Sequence, residues 1–452
     1  MTADRINKTS TFDIAIIGGG ASGMACALML SGFFEKSLKT HPSIVLIEKN
    51  PRLGKKLLLT GNGRCNLTNR EITADRYHGN RAAFVSHTIS EFGSEDTREF
   101  FRKIGLSTFY DESGKAFPES LLASSVLDCM RFSLEESNTE LLLSTDIESI
   151  SKVKSRFILV DSQGRTHAAR YVVVTCGGAA SPFTGSDGSG YELLRSLGHT
   201  VIPPLPGIVQ IKTETDFVKS VSGVKVIGTA SLRVDGDVVR SESGEILFTD
   251  FGISGPPILQ LSGLASRSIS GFSGVKPSRK VEVIIDFMSG KTETEVGQML
   301  RERRDAFPRR KIDQMLVGIF HNRLSTRLIK NATDKPLSME ISSLSDMDLD
   351  RLAAQIKRSK FIVTGVMPLT NAQVTIGGAS TDEFDPETMR SILCDNLYAC
   401  GEVLDIDGDC GGYNLQWAWS SAFIAARSIA QFLENGTSDD ASSAKKNGGG
   451  AQ

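Results

Sequence analysis

No Cys-x-x-Cys pair occurs in this chain of 452 residues, although it contains seven cysteines. An odd number without paired spacing excludes a secreted disulfide framework, a structural zinc site and dithiol–disulfide exchange chemistry, and suits a reducing cytoplasm. Histidine is sparse: His41, His78, His87, His167, His199 and His321 do not cluster along the chain, which argues against a histidine-based triad or a metal centre. A net charge of −2 provides no field of one sign to draw the chain to nucleic acid or membrane, so any such attraction has to be local. The nearly uncharged run FDIAIIGGGASGMACALMLSGFF, residues 12–34, is broken by four glycines between Gly18 and Gly23, and Asp4 and Asp13 do not suit the start of a signal peptide. A strand followed by a buried helix explains its apolarity without a membrane.

Apolar residues at 40 % and charged residues at 23 % describe an ordinary globular chain, long enough for about three domain equivalents. Residues 12–17 form an apolar run of strand length, 21–34 read as a helix, and Ile44–Ile47 as a second strand ending at Glu48. Gly18-x-Gly20-x-x-Gly23 falls at the first turn of this βαβ unit. The first glycine allows the tight turn, the second admits a pyrophosphate to the backbone, and the third lets helix pack on strand. The helix N-terminus attracts phosphate, and a carboxylate at the second strand end accepts from a ribose hydroxyl. Glu48, in place of a basic residue, suits an unphosphorylated adenosine ribose. The spacing therefore predicts a Rossmann-like α/β fold holding a dinucleotide.

Two further strands run into glycine turns: Tyr171–Thr175 into Gly177-Gly178, and the strand of NLYACGEV into Gly401-Glu402. Gly411-Gly412 then leads into a helix starting near Asn414. Three glycine turns at strand ends suit a cofactor spread along the carboxyl edge of a sheet. The stretch LLLTGNGRCNLTN, residues 57–69, adds a loop rich in glycine and asparagine just after Lys55 and Lys56.

Together Gly18–Gly23, Gly54-Lys55-Lys56, Gly61–Asn69, FTDFGISGPPIL (248–259), GVMPLTNAQVTIGGA (365–379) and GEVLDIDGDCGGYNLQWAWSS (401–421) resemble the signatures of the BaiN-type, aminoacetone-oxidase-like family of NAD(P)/FAD-dependent oxidoreductases. The resemblance spans roughly residues 12–432. It implies a discontinuous FAD-binding domain. The cofactor would be held by Gly18, Gly20, Ala21, Ser22, Gly23, Glu48, Lys49 and Lys56, by the loop Gly61, Asn62, Gly63, Arg64, Cys65 and Asn66, and by Gly177. Gly401, Glu402, Asp405, Gly411, Gly412, Tyr413, Asn414 and Leu415 would lie near the flavin. The family usually shows histidine after Phe-Thr where this chain has Asp250, and the segment MRSILCDN (389–396) also departs from its pattern.

The resemblance also implies chemistry. Family members are linked to reduction of conjugated enones in bile-acid intermediates, to uridine reduction in ribosomal RNA and to amine oxidation. The first two share hydride delivery to a C=C bond conjugated to a carbonyl, with an acid protonating the neighbouring carbon. Cys65, Cys410 and Tyr413 are the candidate acids within the matching motifs, each with plain packing as the competing reading. No second strand–GxGxxG–helix unit is present, so NAD(P)H would visit as a transient reductant. A small-molecule reductase is the leading expectation, followed by a dihydrouridine synthase on ribosomal RNA, a small-amine oxidase and a non-catalytic redox sensor.

The domain plan expected is 12–198 and 361–432 for the FAD-binding domain, 199–290 for an inserted β-rich domain, 291–360 for a helical module and 433–452 for a disordered tail. Ile312, Met315, Leu316, Ile319 and Phe320 have the spacing of an amphipathic helix. Residues 301–335 hold ten Lys or Arg against four Asp or Glu, a local excess of six positive charges. That excess is read either as a solvated face or as a phosphate-contacting surface for RNA, without interleaved aromatics to stack bases.

Overall fold

The computed structural model describes residues 9–37, 41–271, 277, 278 and 280–446. The chain forms two compact units, residues 1–205 with 373–452, and residues 206–372.

The first unit is built on a seven-stranded sheet. Strand Ser10–Ile17 lies at its centre, parallel to Ile44–Ile47 on one side and to Thr166–Val174 on the other, with Ile14 opposite both Ile44 and Tyr171. Thr139–Leu142 continues the parallel order beyond Ile44–Ile47. The far edge of Thr166–Val174 is divided: Arg156–Asp161 pairs antiparallel with its first half, and Leu397–Ala399 pairs parallel with its last three residues. Strands covered on both faces carry unbroken apolar sequence, and Ile44, Val45, Leu46 and Ile47 are all buried. The ends of three neighbouring parallel strands, at Ile17, Val174 and Ala399, thus share one sheet edge.

Helix Ala21–Ser37 follows the first turn, and helix Tyr413–Lys446 packs along it. The long helix is anchored by both tryptophans of the chain. Trp417 Nε1 donates to the Gly401 carbonyl at 3.0 Å, and Trp419 Nε1 donates to the Leu67 carbonyl at 2.9 Å while its ring meets Phe101 edge-on. This helix runs to Lys446, into the stretch expected as a disordered tail. The sequence from 433 to 446 contains one glycine and no proline to stop a backbone ladder. Residues 447–452 of that expectation lie outside the described residues.

The second unit contains a closed barrel in the order Ile211–Thr213, Gly252–Ser254, Asp237–Phe248, Lys225–Val234, Val281–Asp286, Ser359–Val366. Helix Pro256–Ser270 turns Ile258, Leu261 and Ala265 into its core. Helices Glu293–Ala306, Asn322–Ala332 and Asp346–Lys357 share that core, so the β-rich and helical segments form one unit. Its limits are shifted from the sequence expectation. Strand Val201–Gly207 pairs with Val374–Ala379, drawing residues 199–205 into the first unit, and Ser359–Val366 closes the barrel against both Ile211–Thr213 and Val281–Asp286.

Residues 312–320 do not form the amphipathic helix their spacing predicts. They make a 3-10 turn at Ile312–Gln314 followed by irregular turns. Lys311 bridges to Glu340 as in a strand, and Gly318 adopts φ +82, so both ends of the segment leave helical geometry. Ile312, Met315 and Leu316 are nonetheless buried, because consecutive tight turns present the same residues to the core.

Trp419→Phe should leave the buried Leu67 carbonyl without its donor and destabilise the first unit by about 1–3 kcal/mol. Denaturant unfolding followed by the emission of Trp417, then the sole tryptophan, checks this, and an unchanged midpoint would refute it.

Candidate functional site

The first glycine turn is shaped by backbone contacts. Gly18 has φ +111, and a Cβ there would lie 2.6 Å from the Thr175 carbonyl oxygen at the end of the adjacent strand. At Gly23 a Cβ would lie 1.9 Å from the Gly18 oxygen. Gly20 differs: a Cβ on it would meet nothing within 4 Å. The outer two glycines are therefore needed for packing, and the middle one faces open space at the start of helix Ala21–Ser37, whose first N–H groups have no partner within the helix. Glu48 is buried at the end of the second strand and held at three points. One carboxylate oxygen accepts from Gly19 N at 2.7 Å, and the other accepts from Asn50 N and Nδ2 at 2.8 and 2.7 Å. An acceptor fixed in this way is placed to receive a ribose hydroxyl.

The other strand ends converge on the same turn. A Cβ on Gly401, φ +76, would lie 2.5 Å from Ser22 Oγ, so the third strand end abuts the first helix turn. Gly177, φ +74, sits beside Ser186. Lys49 pairs with Asp187 at 2.7 Å and donates to Ser189, tying the turn after Thr166–Val174 to the second strand end. Lys56 pairs with Glu402 at 2.8 Å, and Glu402 also accepts from Thr375 N. Lys56, Thr375 and the Gly401-Glu402 turn thus form one patch from three separate parts of the chain.

The loop at 57–66 folds through a left-handed run. Gly61, Asn62, Gly63 and Cys65 all have φ between +57 and +79, which glycine and asparagine tolerate best. Arg64 is exposed and stacks over Phe117. The Asn66 side-chain oxygen is buried and has no hydrogen-bond partner among the described residues, and a Cβ on Gly412 would lie 3.0 Å from it. A buried acceptor without a donor, beside glycines that leave room for backbone approach, fits a flat ligand carrying N–H groups. Open space at Gly20, a fixed carboxylate at Glu48 and an unpartnered acceptor at Asn66 are groups of the kind a dinucleotide cofactor requires.

The segment 401–415 is laced to 68–80. Short strands Asp407–Gly408 and Tyr77–His78 pair antiparallel. Asp405 accepts from Asn80 N, Asn69 Nδ2 donates to the Gly411 carbonyl, and Tyr77 OH donates to the Tyr413 carbonyl with the two rings edge-on. Asn414 folds back on Gly408, accepting from its N and donating to its carbonyl, so it closes the turn that begins the helix. Leu415 packs on the core.

Of the three candidate acids, burial pushes the Cys65 thiol up to about 12. Burial also raises Cys410, against the opposing effect of Lys115, and raises the Tyr413 hydroxyl. All three stay protonated near neutrality, and each is a weaker acid than its type usually is. Asp250 lies exposed on the turn joining two barrel strands of the second unit.

Histidines scattered in sequence acquire acidic partners in space: His78 with Asp409 at 2.9 Å, His167 with Asp161 at 3.2 Å and His199 with Glu383 at 3.2 Å. The partners of His78 and His199 are far away along the chain, so no local motif announces them. His199 Nε2 also lies 3.0 Å from Ser391 Oγ, the outline of a hydrolytic triad. That serine accepts from Leu393 N and Cys394 N, and it and His199 are buried, which makes the group a brace for a turn. Among the described residues no group of histidine, cysteine and carboxylate side chains could hold a metal ion.

The basic excess at 301–335 is partly answered within the second unit, where four of its ten basic residues have acidic partners. Arg301 pairs with Asp346 and Asp350, Arg304 with Asp305 and Asp346, Arg327 with Asp216, and Lys335 with Asp348. Most of these acids lie outside the counted window, so the sequence count overstated the field.

The glycine cradle, the braced carboxylate and the parallel sheet define a Rossmann-type dinucleotide-binding protein with a second, barrel-containing unit. The chain belongs to the family described as HI0933-like protein Rossmann domain, whose pattern matches residues 12–428. It is 34% identical over 418 residues to the 3-dehydro-bile acid delta(4,6)-reductase of Clostridium scindens, covering 92% of this chain and 99% of that protein. It is also 28% identical over 424 residues to the ribosomal RNA dihydrouridine synthase of Haemophilus influenzae and 27% identical over 423 residues to that of Escherichia coli, covering 92% of this chain and 98% of each relative.

Gly20→Ala should fold normally, since its Cβ meets no protein atom, yet weaken cofactor retention by about tenfold or more by blocking pyrophosphate approach. Flavin absorbance after gel filtration, compared with the melting temperature of the stripped protein, separates the two effects. Full retention would remove Gly20 from the site.

Proposed function

We propose that the protein is an FAD-dependent oxidoreductase that reduces a C=C bond conjugated to a carbonyl, with NAD(P)H as a transient reductant, in the cytoplasm. The observation that carries this reading is 34% identity across nearly the full length of a relative named for reduction of such a bond, joined to a cradle that fits FAD. In this reading Gly18, Gly20 and Gly23 admit the pyrophosphate, and Glu48 holds the adenosine ribose. Lys49, Lys56 and Glu402 set the charge around the cofactor, while Asn66 and the residues from Gly401 to Leu415, including Asp405, border the flavin. Held by these residues, reduced FAD would supply hydride chemistry toward the carbon β to the carbonyl. The chain has to orient the substrate, keep water from the flavin and deliver one proton to the α-carbon.

Seven cysteines with no Cys-x-x-Cys pair suit a reducing compartment, and no helix among the described residues is long and apolar enough to cross a membrane. The second reading, uridine reduction in ribosomal RNA, draws on the two relatives named for that activity. The internal pairing of residues 301–335 weakens the electrostatic argument for it.

Reduced anaerobically by NADH or NADPH, the purified protein should be reoxidised by a small conjugated enone on the order of 100-fold faster than by buffer alone. Reoxidation by unmodified ribosomal RNA, with a steep salt dependence, would favour the second reading. Reoxidation by oxygen alone, with peroxide formed in the presence of amines, would indicate an oxidase, and failure with every acceptor a redox sensor.

A further inference from the structure

We propose that His78, positioned by Asp409, is the proton donor to the substrate α-carbon; this rests on the reading of the protein as a flavin-dependent C=C reductase. Strand Tyr77–His78 is pinned beside the turn that opens helix Tyr413–Lys446. His78 is the register partner of Asp407, Asp409 N donates to the Arg76 carbonyl, and the adjacent Tyr77 reaches the Tyr413 carbonyl. Successive strand residues point to opposite faces. Tyr77 accordingly is buried, while the His78 side chain retains 27% exposure.

Asp409, with only 4% of its side chain exposed, contacts His78 Nε2 at 2.9 Å and Arg76 at 3.4 Å. A buried carboxylate on one ring nitrogen fixes the ring and its tautomer, leaving Nδ1 to exchange a proton elsewhere. Charged and titratable neighbours are Arg76 and Asp75 on the same segment, Asp405, Asp407 and Asp409 opposite, and Tyr413 and Glu71 beyond.

Cys65 and Tyr413 are buried and Cys410 half-buried, and burial raises the pKa of all three. Imidazole changes charge near neutrality, and this ring keeps contact with water. The step balances: as hydride reaches the β-carbon, the C=C electron pair forms the α-carbon–hydrogen bond with the imidazolium proton. The N–H pair stays on nitrogen, and water returns the proton to the ring.

The test reduces holoenzyme stoichiometrically with dithionite under anaerobic conditions and mixes it with the acceptor that reoxidises wild type. His78→Gln should retain flavin as wild type does and be reoxidised about 100-fold more slowly, with the alkaline limb of the pH profile lost. Asp409→Asn, which keeps the shape but loses the carboxylate that fixes the ring, should lose less rate at unchanged flavin retention, and Asp409→Glu, which restores the carboxylate, should recover most of it. Wild-type rates in His78→Gln and Asp409→Asn, with the alkaline limb kept in the former, would overturn the assignment while leaving the reductase reading intact. If neither enone nor RNA reoxidises the wild-type protein, the reading fails and the assignment fails with it.

Discussion

Helix Ala21–Ser37 lies against the first strand only because residue 23 has no side chain. A methyl group at Gly23 would sit 1.9 Å from the Gly18 oxygen, and a methyl at Gly18 would strike the neighbouring strand end at Thr175. These two approaches fix the helix start at the sheet edge, and three features depend on that placement. The unpaired first-turn N–H groups face the space beyond Gly20, the Glu48 carboxylate bonds back to Gly19, and Ser22 stands against Gly401. An error of one ångström at Gly23 would therefore be felt in all three strand-end turns.

The second constraint is the return of the chain after the inserted unit. Helix Tyr413–Lys446 has to be buried along its first turns while its polar residues stay satisfied. Gln416 accomplishes this by accepting from Thr68 and Thr97 and donating to the Phe92 carbonyl and Ser420, and the tryptophans bond the Leu67 and Gly401 carbonyls. A buried network of this kind is costly unless complete, so it specifies one register between the helix and the loop at 66–69. The backbone at Gly411-Gly412 is thereby held against Thr68 and Asn66.

Those parts of the fold that rest on local pattern were legible in the sequence. The apolar runs before Gly18 and Glu48 have strand length, and the glycine spacing that follows the first defines the turn between strand and helix. The rest depends on partners distant in the chain. Ser359–Val366 looks like any alternating strand, and only its pairing with Ile211–Thr213 shows that it closes the barrel. Residues 312–320 have helical spacing, but Gly318 and the Lys311–Glu340 bridge impose turns. The charge count at 301–335 missed Asp346, Asp348 and Asp350 because they fall in the next helix. His78 was passed over because Asp409 is 331 positions away, although Asp409 itself stands in one of the recognised motifs.

A proton donor has to be protonated when needed and reprotonated between turnovers, and these demands pull in different directions. Full burial secures the first for Cys65, where desolvation holds the thiol protonated, but the same desolvation opposes formation of the thiolate that donation would leave behind. An exposed group exchanges freely with water but holds no fixed geometry. A ring that is partly exposed, with a buried carboxylate on one nitrogen, meets both demands: the carboxylate restrains the ring, and the open side connects to solvent. Within the segment 66–80 and 401–415, His78 meets both conditions. The ladder that brings His78 beside Asp407 lies in the same segment pair in which Asn69 holds the Gly411 carbonyl, so the ring and the Gly411-Gly412 turn are fixed by the same stretch of chain.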